Sequence, residues 1–263
     1  MFTLSTNGGW YDGDYYQKYY EAKKYGFKAL EILGWKDIDL DRARAVIDET
    51  GMQQSCILFS SRDPEIDKIL YMARGIVWSD THDAFLKSIE ETLAAALKLK
   101  CPNICVTTGN ERSDVSRYVQ HTNVVTALRR AAELVKGSGV KLVLEPLNVL
   151  VNHKGYYLVN TSEAADIIDE VSSPDVKILY DVYHQQISEG NVIDTIRNNI
   201  PRIGHIHVGD VPGRNQPGTG ELNYRNIFKA IDETGYDGFV TFECGRTVSA
   251  EQVSRDMLEL LNW

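Results

Sequence analysis

The sequence predicts an α/β fold, a (β/α)8 TIM barrel in which eight parallel strands are each followed by a helix. Short apolar runs alternate with longer amphipathic runs about eight times along the chain. No linker or low-complexity tract interrupts the 263 residues, a length typical of one such barrel. The GxGxxG fingerprint of an open dinucleotide-binding sheet is missing after the first strand. We therefore expect one barrel domain over residues 1–263 rather than an open doubly wound sheet.

The strand candidates are short and rich in β-branched and aliphatic residues, as expected for parallel strands that are buried on both faces. In chain order they are FTLST from Phe2, FKALEIL from Phe27, MQQSCILF from Met52, NICVTT from Asn103, VKLVLE from Val140, VKILYD from Val176, RIGHIHV from Arg202 and GFVTFE from Gly238. Each begins one repeat of the barrel.

The helix candidates carry apolar residues at three- and four-residue spacing, with charges on the other face. The clearest are DAFLKSIEETLAAALKLK from Asp83, VVTALRRAAELVKG from Val124 and SAEQVSRDMLELLN from Ser249. Gly26, Gly51, Gly137 and Gly235 stand where helices are expected to end.

The amino-acid composition disfavours several classes of binding partner. The chain has 28 basic and 37 acidic residues, a net charge of −9, and no basic stripe, which disfavours binding to nucleic acid. No apolar run approaches the length of a membrane span, and the first residues lack the pattern of a signal peptide. The four cysteines show neither CxxC nor disulfide-framework spacing. We expect a cytoplasmic protein with buried thiols, no membrane partner and a small-molecule substrate.

Polar residues end four consecutive strands in the second half of the chain. Glu145, Asp181 and Glu243 stand at the ends of the fifth, sixth and eighth strands, and His207 stands close to the end of the seventh. Their intervals are each about one βα unit, and barrel enzymes place their active sites at the carboxyl ends of the strands. One such acid alone is usually a helix cap or a loop residue, but four at matching heights predict a common site.

Three carboxylates that converge on one small volume repel each other unless a cation neutralises them. One imidazole with three carboxylates suits a single divalent metal ion, Mn²⁺, Mg²⁺ or Co²⁺, with positions open for substrate oxygens. Zinc also fits this ligand set, although a structural zinc site would use cysteines. The sequence therefore predicts a metal centre formed by Glu145, Asp181, His207 and Glu243.

Other residues have weaker claims to the same barrel mouth. Glu31 and Asn7, at the ends of the second and first strands, either line the mouth or, for Glu31, pair with a basic residue. His205 precedes His207 on the same strand face, and we expect it to be packed and hydrogen-bonded. Trp10 and Trp35 form either an apolar wall of the site or ordinary aromatic packing.

Longer motifs identify a resemblance. LEPLNVLVNHKGYYL, YDVYHQQISEGN, GHIHVGDVPGRNQPGTGELNY and GYDGFVTFECG resemble the hydroxypyruvate isomerase family, part of the xylose-isomerase-like group of sugar isomerases and epimerases. The similarity is dense from about Val140 to Gly245 and looser upstream. It implies a metal-dependent barrel enzyme, and relatives of this kind often form homodimers or tetramers.

The resemblance also assigns roles. It implies that Glu145 and Glu243 are the catalytic acid and base, that the metal shell is the set predicted above, and that His184 and Arg214 bind substrate. There is one departure, because hydroxypyruvate isomerases usually carry Gln at position 207, whereas His207 is similar to the related ketose 3-epimerases. This departure leaves the metal chemistry intact and the exact substrate open.

We hypothesise that the metal polarises the carbonyl of a 2-hydroxycarbonyl compound and that one glutamate removes the neighbouring proton to give an enediolate. Reprotonation at the adjacent carbon is aldose–ketose isomerisation, as in the conversion of hydroxypyruvate to tartronate semialdehyde. Reprotonation from the opposite side gives the alternative, a ketose 3-epimerase acting on a neutral sugar. A guanidinium can grip a carboxylate, so Arg214 favours an acid, unless it instead forms an ion pair with Glu221.

Two other classes share this barrel. A DNA-repair nuclease is disfavoured by the acidic composition and by the shortage of further strand-end histidines for a multi-zinc cluster. A non-catalytic sugar sensor is disfavoured because both acid–base glutamates are present.

Overall fold

The computed structural model describes residues 1–70 and 74–261, and within them nine short parallel strands form one sheet with helices packed outside it. Neighbouring strands follow the order β3-β2-β1-β9-β8-β7-β6-β5-β4. The strands are β1 (Thr3–Asn7), β2 (Ala29–Glu31), β3 (Gln53–Gln54), β4 (Ile57–Leu58), β5 (Asn103–Val106), β6 (Lys141–Leu144), β7 (Val176–Asp181), β8 (Ile203–His207) and β9 (Phe239–Phe242).

The third predicted strand is split into β3 and β4, and this split explains why nine strands form an eight-unit barrel. β3 pairs with β2, and β4 pairs with β5, so the two halves together close the ring. Between them, side chains replace the ladder. The Gln54 amide donates to the carbonyl of Cys56 at 2.8 Å, and the Asn103 amide donates to the carbonyl of Ser55 at 2.9 Å. The predicted (β/α)8 barrel is confirmed.

Helices cover the outside of the barrel, and all three that the sequence predicts most clearly are confirmed. The helices are α1 (Gln17–Lys24), α2 (Leu40–Thr50), α3 (Pro64–Leu70), α4 (His82–Leu99), α5 (Arg117–Val135), α6 (Thr161–Val171), α7 (Val182–Ser188), α8 (Val192–Asn199), α9 (Tyr224–Glu233) and α10 (Ala250–Glu259). None of the helices within the described ranges has the length and apolar character needed to cross a bilayer.

Side-chain caps set the helix ends. α5 starts at Arg117, ahead of the predicted Val124, because the Ser116 side chain accepts a hydrogen bond from the amide of Val119. Gly51 ends α2 with φ 66°, in the left-handed region where glycine is favoured.

The hydrophobic core lies between the sheet and the helices, and both tryptophans considered for the site, Trp10 and Trp35, are packed within this core. Trp10 is buried and lies 5.5 Å from Phe242 and 6.4 Å from Phe27, measured between ring centroids. Trp35 is buried in the same core, and its indole donates to the carbonyl of Leu58 at 3.0 Å. The aromatic-packing alternative therefore describes both residues. The four cysteines are buried free thiols, as predicted.

Candidate metal centre and active site

The four residues predicted to bind a metal lie together at the carboxyl end of the barrel. Asp181 and His207 are the last residues of β7 and β8 and are register partners, while Glu145 and Glu243 directly follow β6 and β9. Each offers one ligand atom, and these atoms all lie within 4.8 Å of one another. The parallel register therefore gathers the strand ends at one point.

Asp181 is held from two sides. Its Oδ1 accepts hydrogen bonds from the backbone amides of Tyr183 at 2.8 Å and His184 at 3.4 Å, so it caps α7. Its Oδ2 accepts from the guanidinium of Arg214 at 2.7 Å. Burial alone would raise the pKa of Asp181, but His184 and Arg214 hold this pKa below its usual value. The Asp181 carboxylate is therefore fixed in place, and its surroundings favour the ionised form.

Glu145 lies in a less polar environment. Its Oε2 accepts a weak hydrogen bond from the Cys105 thiol at 3.5 Å, and its backbone carbonyl accepts from the Tyr156 hydroxyl at 2.9 Å. Burial, reinforced by the nearby charge of Glu243, raises the pKa of Glu145 despite the neighbouring His207. A carboxyl group whose pKa moves toward neutrality suits proton transfer.

His207 stands at the centre of the acidic residues. Its Nδ1 lies 3.0 Å from Oε2 of Glu243 and 3.7 Å from Oε1 of Glu145, and its Nε2 lies 2.8 Å from Oε1 of Glu31. Burial would lower the pKa of His207, but Glu31 and Glu243 outweigh burial and raise this pKa well above its usual value. The surrounding field therefore favours a positive charge at this point.

Arg214 enters the same group from the Gly/Pro-rich loop after β8. One nitrogen of its guanidinium, Nη2, donates to Asp181 and to Oε2 of Glu243, and its Cζ lies 5.0 Å from the ring centroid of Tyr183. Glu221 is exposed and accepts instead a long hydrogen bond from Gln186 at 3.4 Å. The predicted alternative, an ion pair between Arg214 and Glu221, is wrong because the loop turns the guanidinium inward.

A residue that the sequence reading missed, Asp210, organises this loop. Its side chain is fully buried, and its two oxygens accept four backbone N–H groups, at distances of 2.8 to 3.2 Å. The loop also contains Arg214 itself at φ 51° and Gly213 at φ 94°. Aspartate in a Gly/Pro loop is a known acceptor for turn amides, a signal that was present in VGDVPG.

His184 presents a neutral donor to the cavity. Its Nδ1 accepts from the backbone amide of Asn148 at 3.1 Å and from the side-chain amide of Asn148 at 2.7 Å. Since Nδ1 accepts, the ring proton lies on Nε2, which is buried and has no hydrogen-bond partner within the described ranges. Burial lowers the pKa of His184. Nε2 is therefore a free N–H donor beside Asp181.

These side chains surround a cavity of about 130 Å³. Glu145, Glu243, His184 and Arg214 line its polar part. The other lining residues are Leu33, Leu58, Cys105, Thr107, Gly109, Asn110, Leu147, His153 and Tyr156. The sequence reading missed His153 and Tyr156, although both lie in the quoted motif LEPLNVLVNHKGYYL. The cavity suits a small polar molecule with an apolar edge.

The four grouped residues can hold a metal ion. They supply carboxylate oxygens and one imidazole nitrogen within 4.8 Å of one another, a donor set that suits Mn²⁺, Mg²⁺ or Co²⁺. Both ring nitrogens of His207 are buried and make no hydrogen bond of acceptable geometry in the part of the chain described, and Nδ1 is the one that faces Glu145 and Glu243. An orphaned nitrogen among carboxylates fits a cation ligand.

The weaker candidates lie outside the cavity. Glu31 is buried beneath the group and contacts His205 and His207, so its expected pairing with a basic residue is the one observed. Asn7 caps a short 3-10 turn by accepting from the amide of Gly9 at 2.6 Å. His205 is buried and hydrogen-bonded to Glu31, as expected for a packed residue.

Comparison with known proteins supports the reading of the motifs. Residues 19–262 match the model of the family described as xylose isomerase-like TIM barrel. The chain is 28% identical to hydroxypyruvate isomerase from Escherichia coli over 231 residues, which cover 88% of this chain and 87% of that protein. It is 31% identical to 2-oxo-tetronate isomerase from Cupriavidus necator, with 83% and 82% covered. The predicted resemblance is confirmed, and so is the prediction of an aldose–ketose isomerase.

Among solved structures, an AP endonuclease, family 2, from Brucella melitensis superposes with a TM-score of 0.87 over 96% of both chains. The two sequences are 24% identical, so this similarity shows the fold alone.

Proposed function

The chain belongs to the xylose isomerase-like TIM barrel family, and we propose that it is a divalent-metal-dependent isomerase of hydroxypyruvate or a closely related small sugar acid. One observation carries the proposal. Arg214 enters the cavity between Asp181 and Glu243, and its Nε is buried without a hydrogen-bond partner among the described residues. A guanidinium edge left unpaired beside a candidate metal centre fits a substrate carboxylate. Both named relatives above act on such acids, according to their names.

A divalent cation bound by Glu145, Asp181, His207 and Glu243 would supply Lewis-acid polarisation of the substrate carbonyl. The protein supplies the remaining chemistry. Glu145, whose pKa is raised by burial, and Glu243 both line the cavity, so each is placed to move a proton to or from a substrate carbon. Transfer between adjacent carbons through an enediolate moves the carbonyl by one position.

His184 and Arg214 orient the substrate in this scheme. The Nε2–H of His184 donates to a substrate oxygen, and the Asn148 amides hold the ring so that this proton faces the cavity. Arg214 pairs with the carboxylate, which a neutral sugar lacks. Leu33, Leu58 and Leu147 line the apolar part of the same cavity.

The proposal is tested with hydroxypyruvate in D₂O, following products by NMR with and without a chelator. We expect carbonyl migration that stops on chelation, and a loss of at least about 100-fold in kcat for Glu145→Gln and Glu243→Gln. Glu221→Gln, an exposed glutamate on the Arg214 loop, is the matched control and should keep full activity. Near-normal turnover in both cavity variants would show that the assigned roles are wrong.

The second candidate is a ketose 3-epimerase, favoured by one observation, the histidine at position 207. Arg214→Gln separates the two. Dihydroxyacetone is the neutral analogue of hydroxypyruvate, and the ratio of kcat/KM for the two measures the preference for the acid. If the enzyme is an acid isomerase, Arg214→Gln should lower this ratio about 30- to 100-fold, because the substitution removes a charged hydrogen bond to the carboxylate. Inversion at C3 of fructose or tagatose, with no loss of acid preference in Arg214→Gln, would support the epimerase instead.

A further inference from the structure

Glu31 lies directly beneath the candidate metal centre and is anchored on one side only. It is the last residue of β2 and is almost fully buried. Its Oε2 accepts hydrogen bonds from the hydroxyls of Ser55 and Thr241, each at 3.0 Å, and from Nε2 of His205 at 2.8 Å. Three donors, one each on β8 and β9 and one between β3 and β4, therefore fix one oxygen, while the other, Oε1, lies against His207.

The contact between Glu31 and His207 is not explained by the proposed reaction. Oε1 lies 2.8 Å from Nε2 of His207, an ion-pair contact that lacks hydrogen-bond geometry, and neither atom has a hydrogen-bond partner in the described residues. An ionised carboxylate only accepts hydrogen bonds, so a ring nitrogen this close to one carries a proton unless a cation takes the place of that proton. Nδ1, on the opposite edge of the ring, also faces carboxylates, but those of Glu145 and Glu243 converge with Asp181 on one point. A cation bound at that point would take the place of the proton on Nδ1, whereas Nε2 keeps its proton toward Glu31.

A second metal site is the competing explanation, because Glu31, Cys56 and His205 also lie close enough to bind one ion. Two observations oppose it. Oε2 of Glu31 already accepts three protein donors and Oε1 lies against Nε2 of His207, so neither oxygen is left for an ion beside Cys56. The Cys56 thiol donates to the backbone carbonyl of Ile57 at 3.7 Å, which directs its proton to the chain, and burial raises the pKa of this thiol.

We propose that Glu31 is a positioning residue for the metal centre, which holds His207 with its Nε2–H toward Oε1 and so presents Nδ1 to the cation. This inference rests on the proposed function, since it requires that a cation binds. Carboxylates that accept the distal N–H of a ligating histidine fix its tautomer and increase its basicity, and losing one typically costs 10- to 100-fold in metal affinity.

The test measures Mn²⁺ affinity by calorimetry on the full chain. Glu31→Leu removes the acceptor, and we expect its Kd to rise about 10- to 100-fold. Glu31→Gln keeps an oxygen for Nε2–H but loses the charge, so its Kd should fall between those of wild type and Glu31→Leu. Ser55→Ala is the matched control, because it removes one donor to the distal oxygen Oε2 and leaves Oε1 and His207 in place. Its Kd should stay within about threefold of wild type.

A second readout separates positioning from simple destabilisation. Each variant is saturated with Co²⁺, and its visible absorption spectrum, which reports the ligand geometry, is recorded. We expect an altered spectrum for Glu31→Leu and a spectrum close to wild type for Glu31→Gln, which also carries the test if Glu31→Leu does not fold.

The outcomes distinguish the two proposals. If wild type binds Mn²⁺ and both Glu31 variants bind within threefold of it with unchanged Co²⁺ spectra, the role of Glu31 is overturned and the proposed function stands. If wild type binds neither ion, the metal-dependent function is overturned, and the role of Glu31 with it.

Discussion

Asp210→Asn tests the anchoring of the loop that carries Arg214. In the folded protein, Oδ1 accepts from the amides of Val211 at 2.9 Å and Leu222 at 3.2 Å, and Oδ2 accepts from those of Gly218 at 2.8 Å and Gly220 at 2.9 Å. The substitution keeps the size of the side chain. It also replaces one acceptor oxygen with an NH₂ group, which cannot accept from two of these four donors.

The size of the effect follows from the two lost hydrogen bonds. Hydrogen bonds to charged groups contribute about 1.5–3 kcal/mol each, and buried donors left without a partner cost a similar amount. The amides of Gly218 and Gly220 can partly reach water, because both residues are exposed. We therefore expect a loss of about 3 kcal/mol in the free energy of unfolding, equivalent to a fall of about 6 °C in Tm for a chain of this length.

The measurement combines urea unfolding with amide hydrogen exchange. Exchange of the amides of Gly218 and Gly220 should accelerate by about 100-fold, because the free energy of local opening of the loop becomes smaller. Asp237→Asn, the same change at an exposed aspartate before β9, should alter the free energy of unfolding by no more than about 0.5 kcal/mol.

Global unfolding and local opening give different signatures, so a loop that opens alone is still detected by exchange. The reasoning fails if Asp210→Asn unfolds like wild type and the two glycine amides exchange at wild-type rates. Such a result would mean that the four short contacts contribute nothing to the loop, and that the orientation of Arg214 has another cause.

Three further predictions follow from separate parts of the chain. Gly220→Ala should lower the free energy of unfolding, measured in urea, by about 2 kcal/mol, because a new Cβ would lie 2.1 Å from the Val211 carbonyl oxygen. Gly34→Ala is the control and should leave this free energy unchanged, because no atom lies within 4 Å of a Cβ at that position. Burial lowers the pKa of His82, so the unfolded chain binds a proton at this residue more tightly than the folded chain does. The free energy of unfolding should therefore decrease as the pH falls below the unfolded pKa of about 6.5. In paired urea titrations, His82→Gln should show a smaller decrease between pH 7 and pH 5 than wild type. Mn²⁺ at 100 times its Kd should raise the free energy of unfolding by about 2.7 kcal/mol. Equal Tm values with Mn²⁺ and with chelator would contradict a metal centre.

The strand ends of the barrel could be predicted from the sequence because their positions follow from a repeat. One βα unit separates each of Glu145, Asp181, His207 and Glu243 from the next, and parallel register converts this interval into proximity. The break in the third strand could not be predicted, because it depends on the side-chain amides of Gln54 and Asn103, which donate to backbone carbonyls in place of strand-pairing hydrogen bonds. Such substitutions leave no periodic pattern.

The environment of the predicted ligands was less accessible from the sequence. Glu31 and His205 are 174 residues apart, and only the closed ring brings them together. Arg214 was a candidate from its loop, but its direction is set by Asp210 and by left-handed backbone at its own position. Pattern reading finds residues that a fold places by repetition, and it misses those that are placed by one particular contact.

This difference separates two levels of function in the same barrel. The four strand-end residues are brought together by the topology, so their proximity does not depend on the loop that carries Arg214. The proposed preference for an acid rests instead on Arg214, which is carried by the loop anchored by Asp210 and whose Nη2 bridges Asp181 and Glu243. If the proposed function holds, a change in the loop should therefore alter the preference for an acid over a neutral substrate without moving the four strand-end residues.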